Sequence, residues 1–309
     1  MSQNKSRYRE LCAGKVLSPI FFNDWWLDAV CGENNWDVIL HETGGEITGA
    51  LPYYRNKRFF VLNTIKMPLL THYLGPLLLY PDNMKYSSKL GFEHEVIDEL
   101  YSKLPPYHFL RNRFSPALTN WLPLYWKGFR QTTKYTYTIQ LKDLDSIFKD
   151  FKSNMRGKIR KASEIVTIEF TDDIRAFHAL HEKTFRRQQM ENPVGFEWLK
   201  KLDDALQKKG RRKIAIAVDK DKRIHSAAYI LWDNECAYLS MVGEDPELRS
   251  SGAGILLIWE MIKYSKDALG LKRFDFLGSM LKNVEIVRRS MGGEQTPYFE
   301  ITRSTIPFL

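Results

Sequence analysis

The densest concentration of potential chemistry in the 309-residue chain is a ten-residue loop, Asp245-Pro246-Glu247-Leu248-Arg249-Ser250-Ser251-Gly252-Ala253-Gly254. It precedes an apolar run, Ile255-Leu256-Leu257-Ile258-Trp259, that reads as a helix. The first turn of a helix leaves backbone N–H groups unpaired, and the helix dipole adds partial positive charge there. Glycines allow a ligand to approach that backbone, and Arg249 adds a countercharge, so Arg-x-x-Gly-x-Gly is a candidate diphosphate cradle. It lacks the Gly-Lys-Ser/Thr of a P-loop and the spacing of a dinucleotide fingerprint. A second candidate is Asp275, which alternates with Phe274 and Phe276 and so faces away from them on a strand. A carboxylate placed there can serve as a base, orient an amine, or make structural hydrogen bonds. His178, His181 and Glu182 lack a third ligand with metal-site spacing, so no metal is expected. No Ser-His-Asp or Cys-His signature stands out.

These groups need a scaffold, and the periodicities supply a mixed one. The first half predicts a helix from Asn23-Asp24 to Gly32, then strands at Trp36–Leu40 and Ile47–Tyr54 joined through Thr43-Gly44-Gly45-Glu46. Pro52 pushes the second strand towards an edge. Phe59–Asn63 continues the meander, Glu93–Leu104 forms a helix, and His108–Arg113 and Thr132–Leu141 form strands. Asp143 opens one long helix with Phe148, Phe151, Met155, Ile159 and Ala162 on one stripe. Lys149, Lys152, Arg156 and Arg160 lie on an adjacent stripe, near Lys158 and Lys161. They make either a solvated edge or a cationic wall for an anion. The second half predicts a strand at Ile165–Phe170, helices at 171–188 and 196–209, and strands at 213–218, 224–232 and 236–242. A helix at 252–269, a strand at 272–277, a short helix at 284–290 and a strand at 297–302 complete it. The similar order of the two halves suggests a duplicated fold.

Composition narrows the classes. Hydrophobic residues make up 44% of the chain and charged residues 27%, which excludes a disordered or fibrous protein. The net charge of +9 suits an anionic ligand or cofactor. Three cysteines, Cys12, Cys31 and Cys236, form no CxxC pair, so neither a disulfide framework nor a zinc site is expected. The polar opening MSQNKSRYRE and the absence of a long apolar stretch predict a cytoplasmic protein without a membrane span. The scattered aromatics read as core, and no DNA partner is expected.

From Pro246 to Leu257 the sequence resembles the acyl-CoA motif of the GNAT superfamily of N-acyltransferases. Over most of its length the chain resembles the FemAB-like branch, which includes aminoacyl transferases that build peptidoglycan bridges from aminoacyl-tRNA. That second resemblance rests on His72-Tyr73-Leu74-Gly75-Pro76, on Asn154–Ala162, on Phe274–Ser279 and on Arg288–Gly293. It implies an α+β fold of two tandem GNAT-like domains, each a mostly antiparallel sheet flanked by helices. Residues 1–140 would take the acceptor side, with Tyr73, and residues 141–309 the donor. The resemblance also implies an acyl-CoA whose pantetheine runs beside Met241, Val242 and Gly243. Its diphosphate would lie on Arg249, Ser251, Gly252, Ala253 and Gly254. An amine acceptor, small molecule or peptide, would have its anionic part held by Arg156, Arg160 and Lys161. Asp275, Glu235 or Glu244 could take a proton from the amine, and Tyr298 could give one to the leaving thiolate. Two departures bear on function. Leu74 replaces the basic residue common in bridge-forming enzymes, and Arg288 replaces the acid tyrosine of many GNAT enzymes. An aminoacyl-tRNA-dependent transferase and a catalytically silent binding protein are the alternatives to an acyl-CoA enzyme.

Overall fold

The computed structural model describes residues 2–58, 62–278 and 280–306. Phe59–Val61, where the sequence continues the meander, and Ser279 lie outside the described residues. In chain order the elements are α1 (Gln3–Cys12), α2 (Asp24–Cys31), β1 (Trp36–Thr43), β2 (Glu46–Arg58), β3 (Leu62–Lys66) and β4 (Leu77–Leu78). Next come α3 (Tyr86–Ser102), β5 (Phe109–Arg113), α4 (Leu122–Trp126), β6 (Arg130–Gln140), α5 (Leu144–Asp150) and α6 (Ser153–Ile165). They are followed by β7 (Val166–Thr171), α7 (Ile174–Arg187), α8 (Phe196–Lys208), β8 (Arg212–Asp219) and β9 (Ile224–Trp232). Last are β10 (Cys236–Glu244), α9 (Ala253–Asp267), β11 (Arg273–Asp275), α10 (Lys282–Ser290) and β12 (Glu294–Ser304). No helix among the described residues is long and apolar enough to cross a membrane.

The chain divides into two compact units, Met1–Lys134 with Pro297–Leu309, and Tyr135–Thr296. This differs from an expected division at residue 140, because strand pairing decides membership. Glu300–Ser304 of β12 pair antiparallel with Arg113–Phe109 of β5, which assigns the closing residues to the first unit. Thr138–Gln140 of β6 pair with Asp275–Arg273 of β11 in the second unit.

In the first unit, β1, β2 and β3 form an antiparallel meander. Its first turn is made by Gly44 and Gly45, both at positive φ, the conformation a tight hairpin demands. After α3, β5 returns parallel to β3. Pro52 pairs with Val38 of β1, and on its other side it falls between the β4 pairing at Gly49–Ala50 and the β3 pairing that begins at Tyr54. Its edge character is therefore local, within a strand that is otherwise internal. Helix α3 begins at Tyr86, two turns before the predicted start, because those first turns are exposed and show no apolar period. Val96, Ile97 and Leu100 form its fully buried face.

The second unit repeats the plan. Strands β8, β9 and β10 form an antiparallel meander, α9 crosses, and β11 lies parallel to β10. β7 extends the sheet beyond β8, and β6 extends it beyond β11. Leu256, Leu257, Met261 and Ile262 of α9 pack in one core with Ala215, Ala217, Ala228 and Ile230. The small strand residues let the helix settle close to the sheet, and each buried Leu or Ile contributes about 1.5–3 kcal/mol. The single helix predicted from Asp143 is two helices. Phe151 adopts an extended conformation (φ −67°, ψ 142°) and buries its ring edge-on against Trp259, 5.3 Å between centroids. The Lys152 N–H then bonds to the Ser290 carbonyl instead of continuing the helix. Tertiary packing overrides the periodicity here.

Two features of this core make predictions. A Cβ on Gly243 would lie 2.8 Å from the His181 backbone nitrogen and 2.9 Å from the Leu180 carbonyl carbon. Both are main-chain atoms of α7 that cannot swing aside, so Gly243→Ala should destabilise the protein by about 1–3 kcal/mol in urea unfolding. Burial, with His178 nearby, lowers the His181 pKa from 6.5 to about 4. Its folded-state pKa lies below its unfolded value, so its contribution is complete above pH 6.5 and is lost as pH falls towards 4. Relative to His181→Gln, the wild type should lose roughly 2–3 kcal/mol more stability between about pH 7 and pH 4.5.

Candidate active site

Parallel pairing between β10 and β11 is limited to Cys236↔Arg273, Ala237↔Phe274 and Tyr238↔Asp275. β10 then runs on to Glu244 still paired with β9, so its last six residues have left only β11. A register shift against β9 falls between Leu239 and Met241, making Ser240 a bulge residue at the point of divergence. By period two, Ser240 shares a face with Val242 and Glu244, and its Oγ is buried without a hydrogen-bond partner. The opposite face, at Gly243, is closed by the α7 backbone.

On the Val242–Glu244 side lies a cavity of about 710 Å³, the size of a small-ligand site. Its apolar wall includes Met155, Ile255, Ile258, Val284 and Val287. Its cations are Lys158 and Lys161 of α6, Arg187 of α7, Arg249 of the turn and Arg288 of α10. Glu244 is the one acidic side chain among the described lining residues.

The turn at the mouth of α9 differs from a fully open cradle. Gly252 has φ +75°, the left-handed conformation that favours glycine. The N–H groups of Ser251, Gly252, Ile255 and Leu256 bond to carbonyls within the turn, and that of Ala253 to Ser251 Oγ at 3.3 Å. A Cβ on Gly254 would lie 2.5 Å from Glu244 Oε1, so this carboxylate sits against the turn. Its other oxygen accepts from Arg249 Nε at 2.9 Å. Arg249 is thus already engaged by an internal anion.

Arg288 is in a different state. Its guanidinium lies over the Phe276 ring at 4.9 Å, its Nε is buried and unpartnered, and burial lowers its pKa to about 10. A half-buried cation with a buried, unpaired Nε gains from an anion joining it.

The remaining predicted residues scatter. Asp275 is buried at the end of β11, where Oδ1 accepts from Thr136 Oγ1 at 2.5 Å and from the Leu277 N–H at 2.8 Å. It thereby holds the turn in which Leu277 takes a positive φ. Glu235 pairs with Lys272 at 2.9 Å, before the start of β10. At about 3.3 Å per residue, the strand separates it from Glu244 by roughly 30 Å. Tyr298 and Tyr73 are buried together in the first unit, their rings edge-to-face at 5.4 Å. Met241 is buried in β10 and Val242 lines the cavity. Arg156 donates to the Lys149 and Phe151 carbonyls, capping α5, while the exposed Arg160 lies outside the cavity lining. Of the basic stripe, Lys158 and Lys161 line the cavity. The described residues contain no cluster suited to a metal ion.

Sequence reasoning found no Ser-His-Asp arrangement, yet the fold assembles one. His225 Nε2 lies 3.0 Å from Asp219 Oδ2 and Nδ1 lies 2.9 Å from Ser251 Oγ. These residues are contributed by β8, β9 and the turn before α9, so linear spacing carries no signal for them.

Residues 149–288 match the model of the acetyltransferase (GNAT) domain family. No curated protein matches the chain. Among solved structures, FemX superposes with a TM-score of 0.69 at 12% identity, covering 97% of this chain and 96% of that one. L-PGS from Bacillus licheniformis gives 0.57 at 11% identity, with 100% and 93% covered. A tandem GNAT protein from the clavulanic acid biosynthesis pathway gives 0.54 at 13%, with 92% and 94% covered. Residues 149–288 of the second unit are thus similar to the acetyltransferase (GNAT) domain family, and over its length the chain shares the fold of FemX and of the tandem GNAT protein.

Proposed function

We propose that the protein is an N-acyltransferase that binds an acyl-CoA in the second-unit cavity and passes the acyl group to an amine. The observation that carries this reading is the early end of the β10–β11 pairing beside a cavity rimmed by five cations. An extended pantetheine amide chain can lie along the freed edge of β10 as an added strand would. Arg249, Lys158 and Lys161 supply positive charge for the phosphates, and the apolar wall takes the acyl chain. The amine nitrogen attacks the thioester carbonyl carbon, the C–S bond breaks, the thiolate leaves, and the ammonium gives up one proton. That proton passes to water, because the Glu244 carboxylate stands against the turn proposed to take the diphosphate. Arg288 supplies an unneutralised cation for negative charge that develops on the carbonyl oxygen or the departing sulfur.

A second reading, transfer from an aminoacyl-tRNA, draws on the Glu244 carboxylate against the turn, since that charge opposes a diphosphate. Calorimetry separates the two. CoA should bind the wild type and bind the Lys158→Glu/Lys161→Glu double variant at least about tenfold more weakly. No heat with CoA, together with tight and steeply salt-dependent binding of charged tRNA, would transfer the assignment to the second reading. The carboxylate itself is tested with inorganic pyrophosphate. Glu244→Gln should tighten its binding by roughly tenfold, about 1.4 kcal/mol, whereas unchanged affinity would place the anion away from the turn.

A further inference from the structure

We infer that Asp219, His225 and Ser251 form a hydrogen-bond relay that fixes the donor-binding turn, making His225 a positioning residue for the donor. This rests on the reading of the cavity as the donor site. All three side chains are buried, and the relay runs from the β8–β9 turn to the mouth of α9.

At its far end, Asp219 is held as an anion. It accepts from His225, from the backbone N–H groups of Asp221 and Arg223 at 3.0 and 2.9 Å, and from Arg223 Nε at 2.8 Å. The His225 bond, then the main-chain and side-chain donors of Arg223, keep its carboxyl well below the usual carboxylate range. An ionised acceptor requires the imidazole proton on Nε2, which presents Nδ1 to Ser251. At its near end, Ser251 Oγ lies 2.8 Å from the Leu248 carbonyl and 3.3 Å from the Ala253 N–H. The single hydroxyl proton serves either His225 Nδ1 or the Leu248 carbonyl while the oxygen accepts from the Ala253 N–H, so His225 and the turn together fix where that hydroxyl stands. Ser251 lines the cavity next to Gly252 and Gly254, so displacing it displaces the surface offered to the donor. The same constellation is poorly placed for nucleophilic catalysis, because Ser251 Oγ is already shared among three turn and strand partners.

The test combines CoA calorimetry with amide hydrogen exchange on the full chain. His225→Ala and Ser251→Ala should each weaken CoA binding about tenfold, and the double variant should be no weaker than the worse single one. Ser251→Thr, which keeps the hydroxyl, should restore affinity. Losses that add, or unchanged affinity in folded variants, would overturn the relay. If the wild type takes up no CoA, the donor reading fails, and exchange decides the relay alone. His225→Ala should then speed exchange of the 251–256 amides about tenfold, and unchanged protection there would refute it.

Discussion

Everything specific to the site follows from two parallel strands that share three residue pairs and then separate. A parallel ladder would normally continue while both strands last, so something must end β11 early. Asp275 does this: its carboxylate turns back to the Leu277 N–H and to Thr136, stabilising a turn in which Leu277 sits at positive φ. On the other strand, the Ser240 bulge shifts β10 relative to β9 at the same level. The backbone edge left by this divergence is what an extended ligand can use. The Asp275 carboxylate thus helps to set where the gap begins.

The two units obey the same rule of construction: an antiparallel three-strand meander, a helix, and a parallel fourth strand. Each unit then receives its next strand from the stretch that follows the other unit's crossover. β6 comes after β5 and α4 in sequence yet pairs with β11, and β12 comes after β11 and α10 yet pairs with β5. Because of this exchange the second compact unit begins within β6, at Tyr135, and ends within β12, at Thr296. Order along the chain reports which elements exist, whereas pairing reports which unit owns them.

What was legible in the sequence was local. The glycine turn before α9, the meander, the hairpin at Gly44-Gly45 and the crossover helices all carry period or turn chemistry within a few residues. What was hidden depended on distant partners. Asp143 to Ala162 shows an unbroken apolar stripe, yet Phe151 is extended and sets its ring edge-on against Trp259. Arg156 belongs to a basic stripe but is spent on capping α5, while its neighbours Lys158 and Lys161 face the cavity. Glu235 and Glu244 both flank β10, and only the strand's length separates a surface ion pair from a cavity residue.

The charge distribution is the last constraint on what the cavity can hold. Five cations line it, and they are not equivalent. Arg249 is partly neutralised by Glu244, whereas Arg288 is half-buried on an aromatic face with its Nε unmatched. The free protein thus compensates charge at the turn, where a diphosphate would arrive, and leaves it uncompensated over Phe276. Binding at the turn must exchange one anion for another, so it gains little from charge alone and must draw on geometry and apolar contact. Binding near Arg288 removes an existing electrostatic penalty, so an anion or a developing negative charge is favoured there more strongly. A site built this way discriminates by where the ligand's negative charge falls as much as by how much of it there is.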